Sequence, residues 1–437
     1  MNLAPPIPRL GRPGVEDGSG PAQRTGMVNR TPVKSRAGAV RRERHEADYM
    51  ILVVVVALTA LGILMVYSSS ALKGYLSQDA DTFATVGPQI QWALLGMLAM
   101  ALTMRVDYRY LRLVSVPFYI LAVVLLVLVF VPQFNIVVGG SARWLKLGPL
   151  PAIHPAEIAK LALVIYLAHW LAKRGARIRG FWSGTVPFLI IVAPIIALVF
   201  KEPDLGTTGV ITMTVFTMFF VAGANLVHFA IIGAGALVAM VVVGLRGYQI
   251  DRIRVWQDPW LDRLGEGFHT VQGLLALGVG GLFGTGLGAS KIFVPNAFND
   301  FIFAEVGQEF GLLGASVVIG LFLILAYSGV RVALAAPDTF GALLAAGITA
   351  WLCLQAFLNI GVVVALLPIT GITLPFISAG GSSLIISFAA VGILLSISRE
   401  TVEKGTWNED ATADRGRRDG RTHLPGARRR TVASRPS

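Results

Sequence analysis

The stretch YMILVVVVALTALGILMVYS, Tyr49–Ser68, is twenty residues long, carries no charge, and follows a polar segment of 48 residues. About 20 mostly apolar residues in a helix are needed to cross the hydrocarbon core of a bilayer. The run therefore predicts a membrane span. Because it lies so far behind a polar segment, it is expected to stay in place rather than be removed as a leader. Runs of the same kind recur near 89–104, 113–131, 156–172, 184–200, 206–222, 227–245, 311–330, 341–367 and 383–398. Together they predict an all-α polytopic membrane protein with ten transmembrane helices between residues 49 and 400. The composition agrees: 54% of the 437 residues are hydrophobic and only 14% are charged, where soluble domains carry about 25% charged residues. An ordinary soluble enzyme, a disordered chain and a coiled coil are excluded. The single cysteine, Cys353, excludes an intramolecular disulfide and a thiolate metal cage.

The net charge of +12 sits mostly in two tails. Residues 1–48 hold nine basic and five acidic groups and residues 399–437 hold ten and six, a surplus of eight out of the twelve. Both tails, 1–48 and 401–437, are rich in Pro, Gly, Arg, Ser and Thr without apolar periodicity, and read as disordered. Neither interleaves aromatics with its cations, so no nucleic-acid partner is expected. Basic tails belong in the cytoplasm by the positive-inside rule. Two cytoplasmic termini require an even number of spans, which ten satisfies. The long segment 247–310 then forms a large extracytoplasmic loop between spans seven and eight. Its part 272–290, QGLLALGVGGLFGTGLGAS, holds seven glycines. Each costs a helix about 1 kcal/mol relative to alanine, which favours a re-entrant or interfacial segment over a lipid-facing span.

Four outward-facing constellations carry the remaining polar content. In GGSARWLKLGPLPAIHPAEIAKLA, 139–162, Glu157 and Lys160 share a helix face at three-residue spacing. They form either a salt bridge that pins the helix or a direct substrate contact. Arg143, Trp144 and Lys146 just before them place an aromatic between two cations, suited to an anionic headgroup or to interfacial anchoring. In KEPDLGTT, 201–208, Glu202 and Asp204 flank a proline; Asp204 either caps the next helix or shapes a polar pocket. In PNAFNDFIFAEVGQEFG, 295–311, Asp300 opens a span, as a cap or as a carboxylate whose apolar surroundings raise its pKa toward that of a general base. Glu305 and Glu309 follow on one face. In LPITGITLPFISAGGSS, 367–383, prolines and glycines deny regular helix, and such backbone survives at membrane depth only under protein cover. Ser382 and Ser383 either cap the last helix or offer hydroxyls to a substrate. No Walker loop, GxSxG elbow or HExxH motif is present, and the six histidines show no ligand spacing.

These four motifs, in this order on ten spans, resemble the SEDS family (shape, elongation, division and sporulation) of polytopic peptidoglycan glycosyltransferases. The resemblance covers residues 49–400. It rests on GSARWLKLGPL, EPDLGT, NDFIFAEVGQEFG and GITLPFISAGGSS. Thr373, before Leu374 and Pro375, is closer to the division branch than to the rod-elongation branch, where proline is commoner there. The chain departs from the family at His154, Ala156, Phe298, Asn299, Gln308 and Ala379, where Gln, Ser, His, Thr, Glu and Tyr are common.

The resemblance implies polymerisation of lipid II into glycan strands at the outer face of the bacterial cytoplasmic membrane, at the division septum. It implies that Asp300 is the catalytic base and that Arg143, Trp144, Lys146, Glu157, Lys160, Glu202, Asp204, Ser382 and Ser383 serve substrate binding. Cations must stabilise the undecaprenyl diphosphate leaving group. The candidates are Arg143, Lys146 and Lys160, with a divalent cation, magnesium or manganese, as an open addition. The implied partners are undecaprenyl-linked glycan, a class B penicillin-binding transpeptidase and other division proteins. A rod-elongation polymerase, a lipid II flippase and a scaffold recruiting partners through its tails are the competing readings.

Overall fold

The computed structural model describes residues 47–77, 82–138, 141–146, 148, 151–244, 255–265, 267–289, 291–295 and 297–400. The two expected tails lie outside the described residues except for Ala47 and Asp48. Long apolar runs fold as helices because a helix satisfies every backbone donor and acceptor within itself. In chain order these are α1 (Tyr49–Ser77), α2 (Thr82–Arg105), α3 (Leu111–Leu128), α4 (Pro155–Arg174), α5 (Val186–Lys201), α6 (Leu205–Val221), α7 (Leu226–Gly244), α8 (Phe268–Gly280), α9 (Ile302–Ala335), α10 (Thr339–Val363) and α11 (Gly381–Ser398).

Among the described residues, eight helices are long and apolar enough to cross a membrane: α1 to α5 and α9 to α11. The chain is an integral, mostly helical membrane protein. Each of the ten apolar runs corresponds to a helix, though α6 has only 17 residues, at the lower end of what spans a bilayer. The helices are not equally interior. In α4, 72% of the membrane-length window is buried, and in α10 and α11 67%, against 17% in α3. Glu157 and Lys160 on α4, Gln355 and Asn359 on α10 and Ser382 and Ser387 on α11 are buried in protein, which is where a site can form.

Three elements amend the sequence reading. The all-α expectation misses a small antiparallel hairpin, β1 (Asn135–Val138) with β2 (Ser141–Leu145). Ile136, Val137 and Val138 are β-branched and suit a pleated strand, and the pair is too short to show a period in the sequence. Leu145 extends it by exchanging hydrogen bonds of 2.8 and 2.9 Å with Ile153. Second, α9 starts at Ile302, nine residues before the predicted run, and bends at Gly311, whose φ of 67° interrupts the helix. Third, α10 stops at Val363 rather than 367, and residues 364–380 run without regular structure up to α11.

The glycine-rich stretch explains the bend. At 13 residues α8 is about 20 Å long, short of the roughly 30 Å hydrocarbon core. The backbone then turns through Gly281, Gly284, Gly286 and Gly288, all at positive φ. It docks on α9 through its main chain. Thr285 and Gly286 donate to the carbonyls of Gln308 and Glu309 at 2.9 and 3.1 Å, and Leu312 donates to that of Gly281 at 2.9 Å. A Cβ on Gly280 would sit 1.9 Å from the Gly307 carbonyl oxygen. Only glycine permits that approach.

Candidate functional site

The site begins at the N-terminus of α4. Pro155 opens the helix at its first position, where a missing N–H costs nothing. Glu157 and Lys160 follow on one face, and both are buried. Lys160 Nζ lies 2.8 Å from Glu157 Oε1 and donates to Gln355 Oε1 at 2.6 Å. The other Glu157 oxygen accepts from Ser383 Oγ at 3.0 Å. The ammonium also lies 5.1 Å from the Trp351 ring centroid. Buried charges survive when paired and hydrogen-bonded, and these are both. Of the two roles left open by the spacing, the geometry forms the salt bridge.

The turn between α5 and α6 stands beside it. Asp204 caps α6, its Oδ1 accepting from the Thr207 N–H at 3.0 Å. His154 Nε2 lies 3.6 Å from the other Asp204 oxygen, beyond hydrogen-bonding range. Burial lowers the His154 pKa, so the ring is neutral at pH 7. Its edge faces Trp144, with centroids 5.3 Å apart. Burial, with Asp204 adding to it and Arg143 opposing, raises Glu202 to about 8. Arg143 reaches over from β2, donating from Nε to the Glu202 carbonyl at 3.3 Å and from Nη2 to the Pro203 carbonyl at 2.6 Å.

Asp300 lies two residues before α9. The helix N-cap position is Phe301, with no side-chain cap, so capping does not account for Asp300. Burial raises its carboxyl to about 6; Arg143 pulls that value down and Asp204 pushes it up. Asp300 thus lies within reach of the Arg143 and Asp204 charges, although the three residues lie on separate segments of the chain. A Cβ added to Gly371 would come within 3.6 Å of Asp300 Oδ2.

The irregular 364–380 segment closes the site from the other side. Leu374 N donates to Ser378 Oγ at 2.8 Å, Ser378 Oγ donates to the Asn299 carbonyl at 2.6 Å, and Ala379 N donates to that of Phe298 at 2.8 Å. Protein covers it: Gln89 on α2 donates to the Ser378 carbonyl, and α1 approaches so closely that a Cβ on Gly62 would lie 2.6 Å from Ile377 Cα. Phe376 adopts a φ of 66° with its ring buried against Phe388, a strained conformation for a bulky residue.

Not every expected residue gathers here. Lys146 is exposed beyond the hairpin, and its main chain bonds to the Phe134 carbonyl. Ser382 and Ser383 do not cap α11, whose N-cap position is Gly380 without a side-chain bond. Ser382 Oγ instead accepts from the His154 N–H at 3.2 Å. Glu309 binds elsewhere, accepting from Ser68 Oγ and from Gly288 N. Among the described residues no three His, Cys, Asp or Glu side chains converge to hold a metal ion. The motif reading missed Gln355 and Asn359, both buried on α10. Their signal was present: two amides four residues apart inside an apolar span.

The chain is similar in sequence and fold to known proteins. The FtsW/RodA/SpoVE family, described as cell cycle protein, matches residues 48–403. Stage V sporulation protein E of Bacillus subtilis (strain 168) is 41% identical over 356 residues, 80% of this chain and 97% of that protein. A probable peptidoglycan glycosyltransferase FtsW of Geobacter sp. (strain M18) is 39% identical over 80% of this chain and 96% of its own. Among solved structures, a chain of a peptidoglycan synthase complex that coordinates polymerization and crosslinking superposes with a TM-score of 0.67 at 28% identity, covering 81% of this chain and 98% of that one. The rod shape determining protein RodA of Thermus thermophilus gives 0.61 at 29% identity, covering 82% and 98%.

Proposed function

Because the chain belongs to the FtsW/RodA/SpoVE, or SEDS, family of cell cycle proteins, we propose that it is a peptidoglycan glycosyltransferase. It polymerises lipid II at the outer face of the bacterial cytoplasmic membrane and serves septal cell division. In this reading all ten apolar helices cross the membrane, both termini are cytoplasmic, and the segments carrying Arg143, Asp204 and Asp300 face outward. The observation that carries the proposal is the placing of Asp300: a carboxyl raised to about 6 in the field of one guanidinium and one carboxylate. A group with that pKa is ionised at neutral pH yet basic enough to accept a proton in a transition state.

Asp300 takes the proton of the acceptor sugar's 4-hydroxyl. The oxygen attacks the anomeric carbon of the growing strand, the bond to undecaprenyl diphosphate breaks, and the centre inverts. The leaving diphosphate gathers negative charge, and a fixed cation there lowers the barrier. Arg143 suits that task because two main-chain carbonyls hold its fork at the acidic turn. Lys146 is exposed and available to a headgroup. Lys160 is committed to Glu157 and Gln355 and acts by holding the floor of the site. Trp144, Glu202, Ser382 and Ser383 complete the binding surface. Magnesium or manganese would accompany the diphosphate, since magnesium is commonly held by one or two carboxylates plus substrate phosphates; no step here depends on it.

Septal work is favoured by Thr373 and by relatives bearing the FtsW name. The RodA likeness supports the elongation branch instead. A class B penicillin-binding transpeptidase is the proposed partner, supported by the neighbour that joins polymerization to crosslinking. The test is purified full-length protein with lipid II, with and without such a transpeptidase, read as glycan length on a gel. Polymer in either arm supports the proposal. Its absence from both, with lipid II crossing vesicle membranes, would favour the flippase.

A further inference from the structure

Gln355 and Asn359 lie one turn apart on α10, about 6 Å along its axis, and so share a face. Asn359 Nδ2 donates to two main-chain carbonyls, those of Asp300 and Ile372, each at 2.7 Å. Gln355 Nε2 donates to the next carbonyl, that of Thr373, at 3.0 Å, and Gln355 Oε1 accepts from Lys160 Nζ at 2.6 Å and from Trp351 Nε1 at 2.9 Å. Two amides thus grip successive carbonyls of the irregular segment. From that shared anchor one reaches the loop of Asp300 and the other reaches the Lys160–Glu157 bridge.

We propose that Asn359 and Gln355 are positioning residues that set Asp300 against the Lys160–Glu157 floor of the site. The inference rests on the reading of Asp300 as the base. The chemistry of each amide is specified by its partners. Both partners of Asn359 Nδ2 are acceptors, so only a group with two N–H bonds on one atom serves. Aspartate, nearly the same size, would set a carboxylate against two carbonyl oxygens. Asn359 Oδ1 is buried without a partner, an arrangement proteins avoid and one that an apolar side chain would not incur. Gln355 needs one donor and one acceptor, with the acceptor toward Lys160, so glutamate keeps the ammonium contact and sets one carboxylate oxygen against one carbonyl, that of Thr373, where aspartate at 359 faces two.

The experiment uses the full chain in detergent with lipid II. Asn359→Asp, Asn359→Ser, Gln355→Glu and Asp300→Asn are compared with the parent for kcat, KM, the acid limb of the pH–kcat profile and thermal stability. A displacement of about 1 Å at a reacting group can cost about 10²-fold in rate. Asn359→Asp is expected to lose about that in kcat with KM unchanged. Asn359→Ser, which keeps one donor and adds no charge, should fall between it and the parent in rate, and carries the test if the aspartate variant does not fold. The acid limb of Asn359→Ser should move below pH 6 as the freed Asp300 loop gains water, the Arg143 and Asp204 charges staying in place. Gln355→Glu should lose less rate and keep the parent's acid limb.

Parental kcat in both Asn359 variants would overturn the proposal. So would a loss that tracks thermal stability alone with the acid limb unmoved. Full activity of Asp300→Asn would bring down the underlying assignment instead. An inactive Asp300→Asn beside fully active Asn359 variants would remove the positioning role only.

Discussion

Arg143 donates a hydrogen bond of 2.6 Å to the main-chain carbonyl of Pro203, sixty residues further along the chain. A cation from the hairpin is thereby fixed over a turn that holds two acids. The relationship makes a double prediction. Arg143→Gln should slow polymerisation by about 10²–10³-fold, the cost of losing one fixed donor at developing charge. Arg143 holds the Asp300 carboxyl down, so the acid limb of the pH–rate profile should also move above 6. Arg143→Lys should not restore the rate, because a point ammonium cannot reproduce a fork spanning two carbonyls.

The bridge between Glu157 and Lys160 predicts a stability effect with a clear coupling. Lys160→Met leaves a buried carboxylate without its cation, and breaking a buried pair costs about 3–5 kcal/mol. Glu157→Gln strands the ammonium in the same way. The double variant should be less damaged than the sum of the two, by more than 1 kcal/mol. Thermal unfolding in detergent reads all three, and strict additivity would mean the pair is not coupled.

Glu202 predicts the pH dependence of stability. Its carboxyl stands at about 8 in the folded protein against about 4.3 in an unfolded chain. Between those values the folded state binds the proton and the unfolded state has lost it. Stability from this group is therefore complete below about pH 4 and declines as pH rises to about 8. Asp300, at about 6, adds a decline that ends earlier. Glu202→Gln should flatten the fall in melting temperature between pH 6 and 8 while leaving the part due to Asp300.

The glycine turn predicts a matched contrast. A Cβ at Gly280 would strike the Gly307 carbonyl at 1.9 Å, whereas a Cβ at Gly278 meets nothing within 4 Å. Gly280→Ala should destabilise by about 1–3 kcal/mol through forced backbone shifts. Gly278→Ala, in α8, should be neutral or stabilise by up to about 1 kcal/mol. Equal melting temperatures for the two variants would contradict the docking of this segment on α9.

Much of this was legible in the sequence because a bilayer is a demanding solvent. Runs such as Tyr49–Ser68 can do little but form helices, and the seven glycines of 272–290 marked a stretch whose helix stops at Gly280, short of a full span. The hairpin was hidden because four or five residues per strand give no reliable period. At the site, composition picked out Asp300, Arg143 and the Glu157–Lys160 pair, since charges are scarce between the tails. Spacing left the role of Asp300 open between cap and base, because α9 starts at Ile302 behind Phe301 with no side-chain cap to mark the start. Gln355 and Asn359 went unread for a related reason. The amides themselves stand out inside an apolar span, but the groups they donate to are main-chain carbonyls at positions 300, 372 and 373, which no side-chain motif records.

The most direct test of the central claim is the rate of lipid II polymerisation by Asp300→Asn in folded, full-length protein. If Asp300 is the only base, the loss should reach about 10²–10⁴-fold with the fold intact by thermal unfolding. Parental rates of glycan synthesis by that variant would contradict the account.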